Sequence, residues 1–283
     1  MPLHLFALQP FQRAFHAVKR SHLRLAARVD GHPPPIALAR QQRQRRLLGG
    51  WCAARPVLGE HTLPPGGPVC VLPAQIIVSE GTSLSLRTLG SADSSGTPVE
   101  TLAVISGSGT TRLFWVYGGI LTLKDLTLDG GKQNAGSAIY AQASAKVELL
   151  SKIFIQNCAA TYGGAFFLKD AGTTLTVAGA DTQVVIRDNV AASGGGGLCL
   201  TGGADVLVNN SALLELKNNT ATSWYGGGFY LDNGARLKVD GGGMLQIVQN
   251  EAAAYGGALY LKDAGTTLAL AGADTQVVIR DNV

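Results

Sequence analysis

The sequence predicts an all-β protein, a right-handed parallel β-helix in which each coil of about 31 residues holds three strands. An internal duplication is the first observation behind this prediction. Residues 162–190 and 255–283 are identical at 25 of 29 positions and lie 93 residues apart. Self-similarity at a fixed period is typical of repeat architectures, in which each repeat packs only against its neighbours.

Two kinds of residue divide this offset into three coils. Glycine pairs recur at nearly equal intervals, beginning at Gly163, Gly195, Gly226 and Gly256. Asparagines recur three residues after a large apolar residue, at Asn157, Asn189, Asn219, Asn250 and Asn282. An asparagine repeated at one corner can bond the turn backbone and its own copies in adjacent coils. We interpret both columns as structural, because a catalytic residue is needed once whereas these recur.

Residues 1–68 are predicted to form a basic, disordered leader. Residues 1–55 contain ten Lys and Arg against one acid, whereas residues 56–283 contain 13 basic and 18 acidic groups, a net charge of −5. An Arg-rich, acid-poor start is typical of an organelle transit peptide, although a plain tail or a wrongly chosen start codon would look the same. The mildly acidic body predicts that the protein does not bind nucleic acid.

The β-helix is predicted to span residues 69–283, with its clearest repeats at 118–283. Short apolar segments separated by Gly, Ser and Thr turns indicate strands, and the last coil divides into strands at 258–262, 266–270 and 276–280. The alternation of apolar and polar residues realigns after every coil, which predicts parallel stacking about 4.8 Å apart. No apolar run reaches the roughly 18 residues of a transmembrane helix.

One outward column of the predicted first strand is almost entirely aromatic. Ile139, Phe166, Leu198, Phe229 and Leu259 share one parity and are the expected core. The opposite parity holds Cys199 and four rings that we call the aromatic stripe: Tyr140, Phe167, Tyr230 and Tyr260. An outward stripe of this kind would suit sugar rings or the edge of a partner. The alternative is a strip that the tail or a longer turn covers.

The segment FIQNCAATYGGAF at residues 154–166 resembles the FxxN…GGAI repeat of chlamydial polymorphic outer-membrane proteins. The resemblance is strongest over residues 154–283, and GGAL at 256–259 matches it again. It implies a right-handed β-helix of the pectin-lyase-like type. It also implies an adhesin-like passenger at the cell surface, in the outer membrane or outside the cell, with a glycan or a cell-surface protein as partner.

A polysaccharide lyase or glycoside hydrolase is the alternative function, since such enzymes also use parallel β-helices. Their chemistry needs clustered carboxylates, and Asp170, Asp181 and Asp188 are candidates. Each of these aspartates is copied in the second half of the duplication, which indicates solvent-exposed corner residues rather than a unique active site. Residues 69–283 contain no histidine, which excludes histidine-based catalysis there. The sequence therefore predicts no enzyme, cofactor or metal site. The four cysteines lack metal-ligand spacing and are interpreted as inert buried thiols: Cys52, Cys70, Cys158 and Cys199.

The sequence stops at Val283, after an asparagine corner and before another glycine pair. Solenoids need polar capping repeats, and an uncovered coil exposes strand edges that can pair with another chain. We therefore expect a truncated repeat array that can associate end to end.

Overall fold

The chain is a parallel β-solenoid in a computed structural model that describes residues 55–57, 60–63, 69–88 and 102–283. These residues contain strands and turns and no helix, so none of their segments is a helix that could span a membrane. The strands in chain order are β1 (Arg55–Val57), β2 (Glu60–Leu63), β3 (Cys70–Val71), β4 (Ile76–Ser79), β5 (Ser83–Thr88), β6 (Ala103–Ser106), β7 (Phe114–Tyr117), β8 (Ile120–Asp129), β9 (Ile139–Gln142), β10 (Lys146–Gln156), β11 (Ala159–Tyr162), β12 (Phe166–Lys169), β13 (Thr174–Ala178), β14 (Gln183–Arg187), β15 (Val190–Gly194), β16 (Leu198–Thr201), β17 (Asp205–Asn209), β18 (Leu213–Lys217), β19 (Thr220–Ala221), β20 (Phe229–Leu231), β21 (Arg236–Val239), β22 (Met244–Val248), β23 (Glu251–Ala252), β24 (Leu259–Leu261), β25 (Thr267–Leu270) and β26 (Gln276–Arg280).

Equivalent strands of successive coils pair in parallel to form three sheets. A seven-stranded sheet runs β4-β7-β9-β12-β16-β20-β24, and we call its outward side the aromatic face. A 15-stranded sheet forms two further walls, because β8 and β10 bend and contribute to both. A four-stranded sheet, β11-β15-β19-β23, closes each coil after the asparagine corner. The three predicted strands of a coil are therefore followed by a short fourth.

The coil spacing of about 31 residues is confirmed for the C-terminal coils. Phe166, Leu198, Phe229 and Leu259 each pair with their counterpart in the next coil, at nearly equal intervals along the chain. The interval between Ile139 and its partner Phe166 is shorter. The earlier coil is shorter because β10 passes its corner in one continuous strand, with Ser151 in a left-handed conformation (φ 57°). Later coils insert a turn there, between β13 and β14 for example.

The solenoid extends upstream of the predicted boundary at residue 69. Strand β2 pairs in parallel with β5, and β1 pairs antiparallel with β2. Both strands lie in the segment predicted to be a disordered leader, so that prediction does not hold for residues 55–57 and 60–63. Residues 1–54 of the predicted leader lie outside the described residues.

The core fills the inside of the solenoid, as the two-residue alternation predicts. Phe114, Ile139, Phe166, Leu198 and Phe229 line one wall and are fully buried. On the 15-stranded sheet the inward residues are apolar and the outward residues Lys146, Glu148, Arg236 and Lys238 are exposed. Burial of these stacked apolar columns drives the packing of one coil on the next.

Candidate binding face

The glycine pairs lie at the corner that precedes the aromatic face. Gly163, Gly195, Gly226 and Gly256 all have positive φ, between 61° and 69°. The backbone N–H groups of Gly163, Gly195 and Gly226 donate to the following coil, as Gly195 N does to Tyr225 O at 3.0 Å. A β-carbon on Gly163 would collide with the carbonyl group of Phe166. The corner is therefore built for glycine by both backbone conformation and close approach.

Four of the predicted asparagines form a hydrogen-bonded column at the corner before the fourth strand. Asn189, Asn219 and Asn250 are fully buried, whereas Asn282 is partly exposed. Each buried amide donates across the corner to the preceding coil, as Asn219 Nδ2 does to Ile186 O at 2.8 Å. The side-chain oxygens of Asn219, Asn250 and Asn282 each accept from the backbone N of the asparagine in the preceding coil. The column thus satisfies backbone groups that are shielded from water.

Asn157 does not belong to this column, and the prediction that included it is wrong. Cys158 occupies the column position instead, because its backbone N donates to Asn189 Oδ1 at 3.0 Å. In the sheet, Ile155 and not Phe154 is the partner of Ile186. Asn157 is exposed, has a left-handed φ of 57° and donates to Asp129 Oδ1 at 2.7 Å.

The aromatic stripe lies in register on the outward side of the seven-stranded sheet. Tyr140 pairs with Phe167, and Tyr230 pairs with Tyr260. The ring centroids of Tyr140 and Phe167 are 5.3 Å apart, and those of Tyr230 and Tyr260 are 6.0 Å apart with planes only 9° from parallel. All four rings are partly exposed. Trp115 extends the stripe by one strand, with its ring 6.4 Å from that of Tyr140.

A second aromatic column borders the stripe and is not anticipated in the sequence analysis. Bridges align Tyr162 with Gly194, Gly194 with Tyr225, and Tyr225 with Tyr255. The Tyr225 ring stacks on Tyr260 at 4.6 Å and on Tyr255 at 5.8 Å. The sequence contains a pattern that could have predicted this column, because Tyr162, Tyr225 and Tyr255 each directly precede a glycine pair.

Cys199 takes the place of a ring in the stripe, and Gly194 does so in the second column. Although Cys199 lies on the outward side, it is only 2% exposed. A β-carbon built on Gly194 would lie 3.3 Å from Cγ of Tyr230, so the Tyr230 side chain leans into this ringless coil. Burial raises the pKa of the Cys199 thiol well above its ordinary value.

Polar groups contact two rings of the stripe, Tyr140 and Tyr230. The Arg112 guanidinium lies 4.9 Å from the centroid of the Tyr140 ring and donates to the carbonyl oxygens of Ala135 and Gly136 at 2.8 and 3.0 Å. The Tyr230 hydroxyl donates to Oδ2 of Asp232, two residues further along the chain, at 3.0 Å. Burial and the Asp232 carboxylate raise the pKa of Tyr230, so the phenol stays neutral.

Among the duplicated charged residues, an arginine and the aspartate that follows it form a local pair at a repeated corner. Arg187 lies 3.8 Å from its neighbour Asp188, and the copies Arg280 and Asp281 lie 2.7 Å apart. Within the described part of the chain, no group of three or more His, Cys, Asp or Glu side chains is placed to hold a metal ion. Cys158 and Cys199 are free and buried, whereas Cys70 is disulfide-bonded, so the interpretation of the cysteines as inert thiols fails for Cys70.

Comparisons of the chain with protein-family models, with curated proteins and with solved structures found no match.

Proposed function

We propose that the chain is a non-catalytic β-solenoid module of an exported protein, which binds a glycan or a cell-surface protein through its aromatic face. The observation that carries this proposal is the register of the rings. Two neighbouring columns bring Tyr225, Tyr230, Tyr255 and Tyr260 together on an outward face, and Trp224 joins this contacting cluster beside Tyr225. A contiguous aromatic patch on a protein surface is typical of an interaction site.

The cell surface or the extracellular space is the location that we propose for this module, and an adhesin-like passenger is the role. The FxxN…GGAI resemblance of residues 154–166 supports both, including the outer membrane as a place of attachment. The disulfide-bonded state of Cys70 also supports export, since disulfides persist in oxidising compartments. Surface proteolysis of intact source cells followed by fractionation tests the location, and recovery of the chain only from the cytoplasmic fraction would contradict it.

Binding to immobilised glycans and to cell surfaces tests the proposed activity. We expect the double substitution Tyr230→Ala and Tyr260→Ala to abolish binding, because it removes two rings of the cluster. Phe154→Ala is the matched control, since Phe154 is a partly exposed aromatic on the 15-stranded sheet. Thermal melts show whether each variant is folded. Unchanged binding by a folded double variant would contradict the proposal.

Turnover assays separate this proposal from the enzymatic alternative. The chain is incubated with pectin, alginate and related polysaccharides, with and without Ca²⁺. We expect no release of reducing ends and no unsaturated products, because the duplicated carboxylates Asp188 and Asp281 lie with their neighbouring arginines at separate, repeated corners. Clear turnover would overturn the non-catalytic function.

A further inference from the structure

The rings of the aromatic face differ in how much of their surface a ligand can reach. Tyr225 stacks against Tyr230, Tyr255 and Tyr260 at centroid distances of 4.6 to 6.1 Å and with planes 17° to 24° apart. Rings in offset stacks pack their faces on each other. Part of the ring surface of Tyr225, Tyr230 and Tyr260 is therefore covered by rings of neighbouring coils, and each of the three is partly buried. Their contacts hold the face together and leave less ring area for a ligand.

Two rings of the cluster have more than half of their surface open to solvent. Trp224 is 52% exposed, and Tyr255, in the last coil of the structure, is 63% exposed although it stacks on Tyr225. Among the described rings, Trp224 contacts only Tyr225, at 5.9 Å. Tyr225 and Tyr255 are bridged across adjacent coils, so Trp224 and Tyr255 lie one coil apart on the same side of the molecule.

The segments that lead to these two rings carry no charge. The corner segment before Trp224 consists of Thr222 and Ser223, and the one before Tyr255 consists of Ala253 and Ala254, all of them exposed. An exposed aromatic ring packs well against the C–H face of a pyranose, and hydroxyl groups suit its rim. An anionic polymer would instead require cations in these segments.

We infer that Trp224 and Tyr255 are the ligand-contacting residues of the aromatic face and that the ligand is an uncharged polysaccharide. The inference rests on the proposed binding function. A polysaccharide chain that runs along the solenoid contacts Trp224 and Tyr255 in succession, while Tyr225 supports both rings from below. Because the two rings belong to adjacent coils, an oligosaccharide that reaches both binds more tightly than a monosaccharide.

Affinity electrophoresis of the folded chain tests the inference. Native gels contain either neutral polymers (β-glucan, xylan, mannan) or anionic polymers (polygalacturonate, alginate, heparin). We expect a neutral polymer to retard the wild-type chain. Trp224→Ala and Tyr255→Ala should each weaken binding about tenfold. Tyr255→Phe keeps the ring and should retain binding. Phe154→Ala is again the control, since Phe154 is a partly exposed aromatic on the 15-stranded sheet and not on the aromatic face.

The outcomes separate the inference from the function on which it rests. If folded Trp224→Ala and Tyr255→Ala bind normally while the Tyr230→Ala and Tyr260→Ala double variant does not, the assignment of Trp224 and Tyr255 is overturned and the proposed function stands. Binding to anionic polymers alone would overturn the assignment of an uncharged polysaccharide. A change of oligomeric state in Trp224→Ala would also overturn it, because the partner of this surface would then be a second copy of the chain. Absence of binding to any polymer or cell surface overturns both proposals.

Discussion

The side-chain oxygen of Asn219 accepts two hydrogen bonds from Asn189, one from its backbone N at 3.1 Å and one from its Nδ2 at 2.9 Å. Asn250 Oδ1 accepts the same pair from Asn219, at 2.9 Å each. Asn219 and Asn250 therefore each support the copy in the preceding coil, and each also donates to a backbone carbonyl of that coil. Since the groups involved are shielded from water, the loss of one side chain leaves several of them unpaired.

Replacement of Asn219 by Ala is expected to lower the free energy of unfolding by about 1–3 kcal/mol. The substitution removes the acceptor of Asn189 N and the donor to Ile186 O. Because coils stabilise one another through their neighbours, the transition should also become less cooperative. Urea denaturation followed by far-UV circular dichroism measures both quantities.

Asn282→Ala is the matched comparison for Asn219→Ala. Asn282 is partly exposed, so water can reach the groups that the substitution leaves unpaired. Its effect on the free energy of unfolding should be distinctly smaller. Equal and negligible losses at both positions would show that the column contributes nothing to stability.

Cys158→Asn is expected to stabilise the solenoid by about 1 kcal/mol. Cys158 occupies the column position, and its Sγ makes only a weak bond to Gln156 O at 3.3 Å. An asparagine there could donate to Asn189 Oδ1 and extend the column by one coil. Cys158→Val is the control, because it fills a similar volume without hydrogen bonds. A chemical melt in which Cys158→Asn is no more stable than Cys158→Val would contradict the prediction.

The walls and the core of the solenoid could be predicted from the sequence because their pattern is repeated. Val147 and Leu149 alternate with Lys146 and Glu148, and the same parity returns in every later coil. The position of Asn157 could not be obtained in this way. The register of β10 against β8 shifts between Leu150 and Ile153, while β10 itself keeps one inward parity through its corner, so that Ile155 and not Phe154 is buried. The match of Phe154 to the motif therefore placed the column one residue too early.

The contacts within the aromatic cluster could be predicted only in part from the sequence. The parity of Tyr230 and Tyr260 predicts that they share the outward side of one sheet. Contact between Tyr225 and Tyr260 depends on the turn at Gly226, which brings the second column beside the first. Neither the alternation within a strand nor the coil period encodes that contact. The equivalent turn at Gly195 places Gly194 where a ring would otherwise lie, so the burial of Cys199 depends on how this corner folds.

Gly163→Ala is expected to destabilise the chain by about 3 kcal/mol or more. Gly163 has a φ of 61°, and an added β-carbon would collide with the carbonyl group of Phe166. Gly234 is the matched control, since its φ is 77° but no atom lies within 4 Å of an added β-carbon. Gly234→Ala should therefore cost only about 1 kcal/mol, from backbone conformation alone. Thermal denaturation measures the difference, and equal losses would show that close approach at the glycine corner is unimportant.

Alkaline pH is expected to destabilise the chain through Cys158. Burial raises the pKa of this thiol from 9.0 to about 12. Because the unfolded thiol ionises first, the contribution of Cys158 is fully present below pH 9 and is lost as the pH rises towards 12. The free energy of unfolding should fall by about 1.4 kcal/mol per pH unit in this window. Urea melts of the wild-type chain and of Cys158→Ala at several pH values separate this contribution from other titrations. If the free energy of unfolding falls equally steeply with pH in both chains, the prediction is wrong.

Tyr230→Ala is expected to expose the thiol of Cys199. Cys199 pairs in register with Tyr230, whose side chain leans over the ringless coil at Gly194. In the native wild-type chain Cys199 is 2% exposed and its thiol is held neutral by burial, so it should not react with an alkylating reagent. Removal of the phenol should allow labelling of Cys199 without unfolding, which peptide mapping by mass spectrometry detects. Tyr260→Ala is the matched control, because Tyr260 is two coils from Cys199 and its loss leaves Tyr230 in place. Protection of Cys199 in a folded Tyr230→Ala variant would show that another part of the chain covers the thiol.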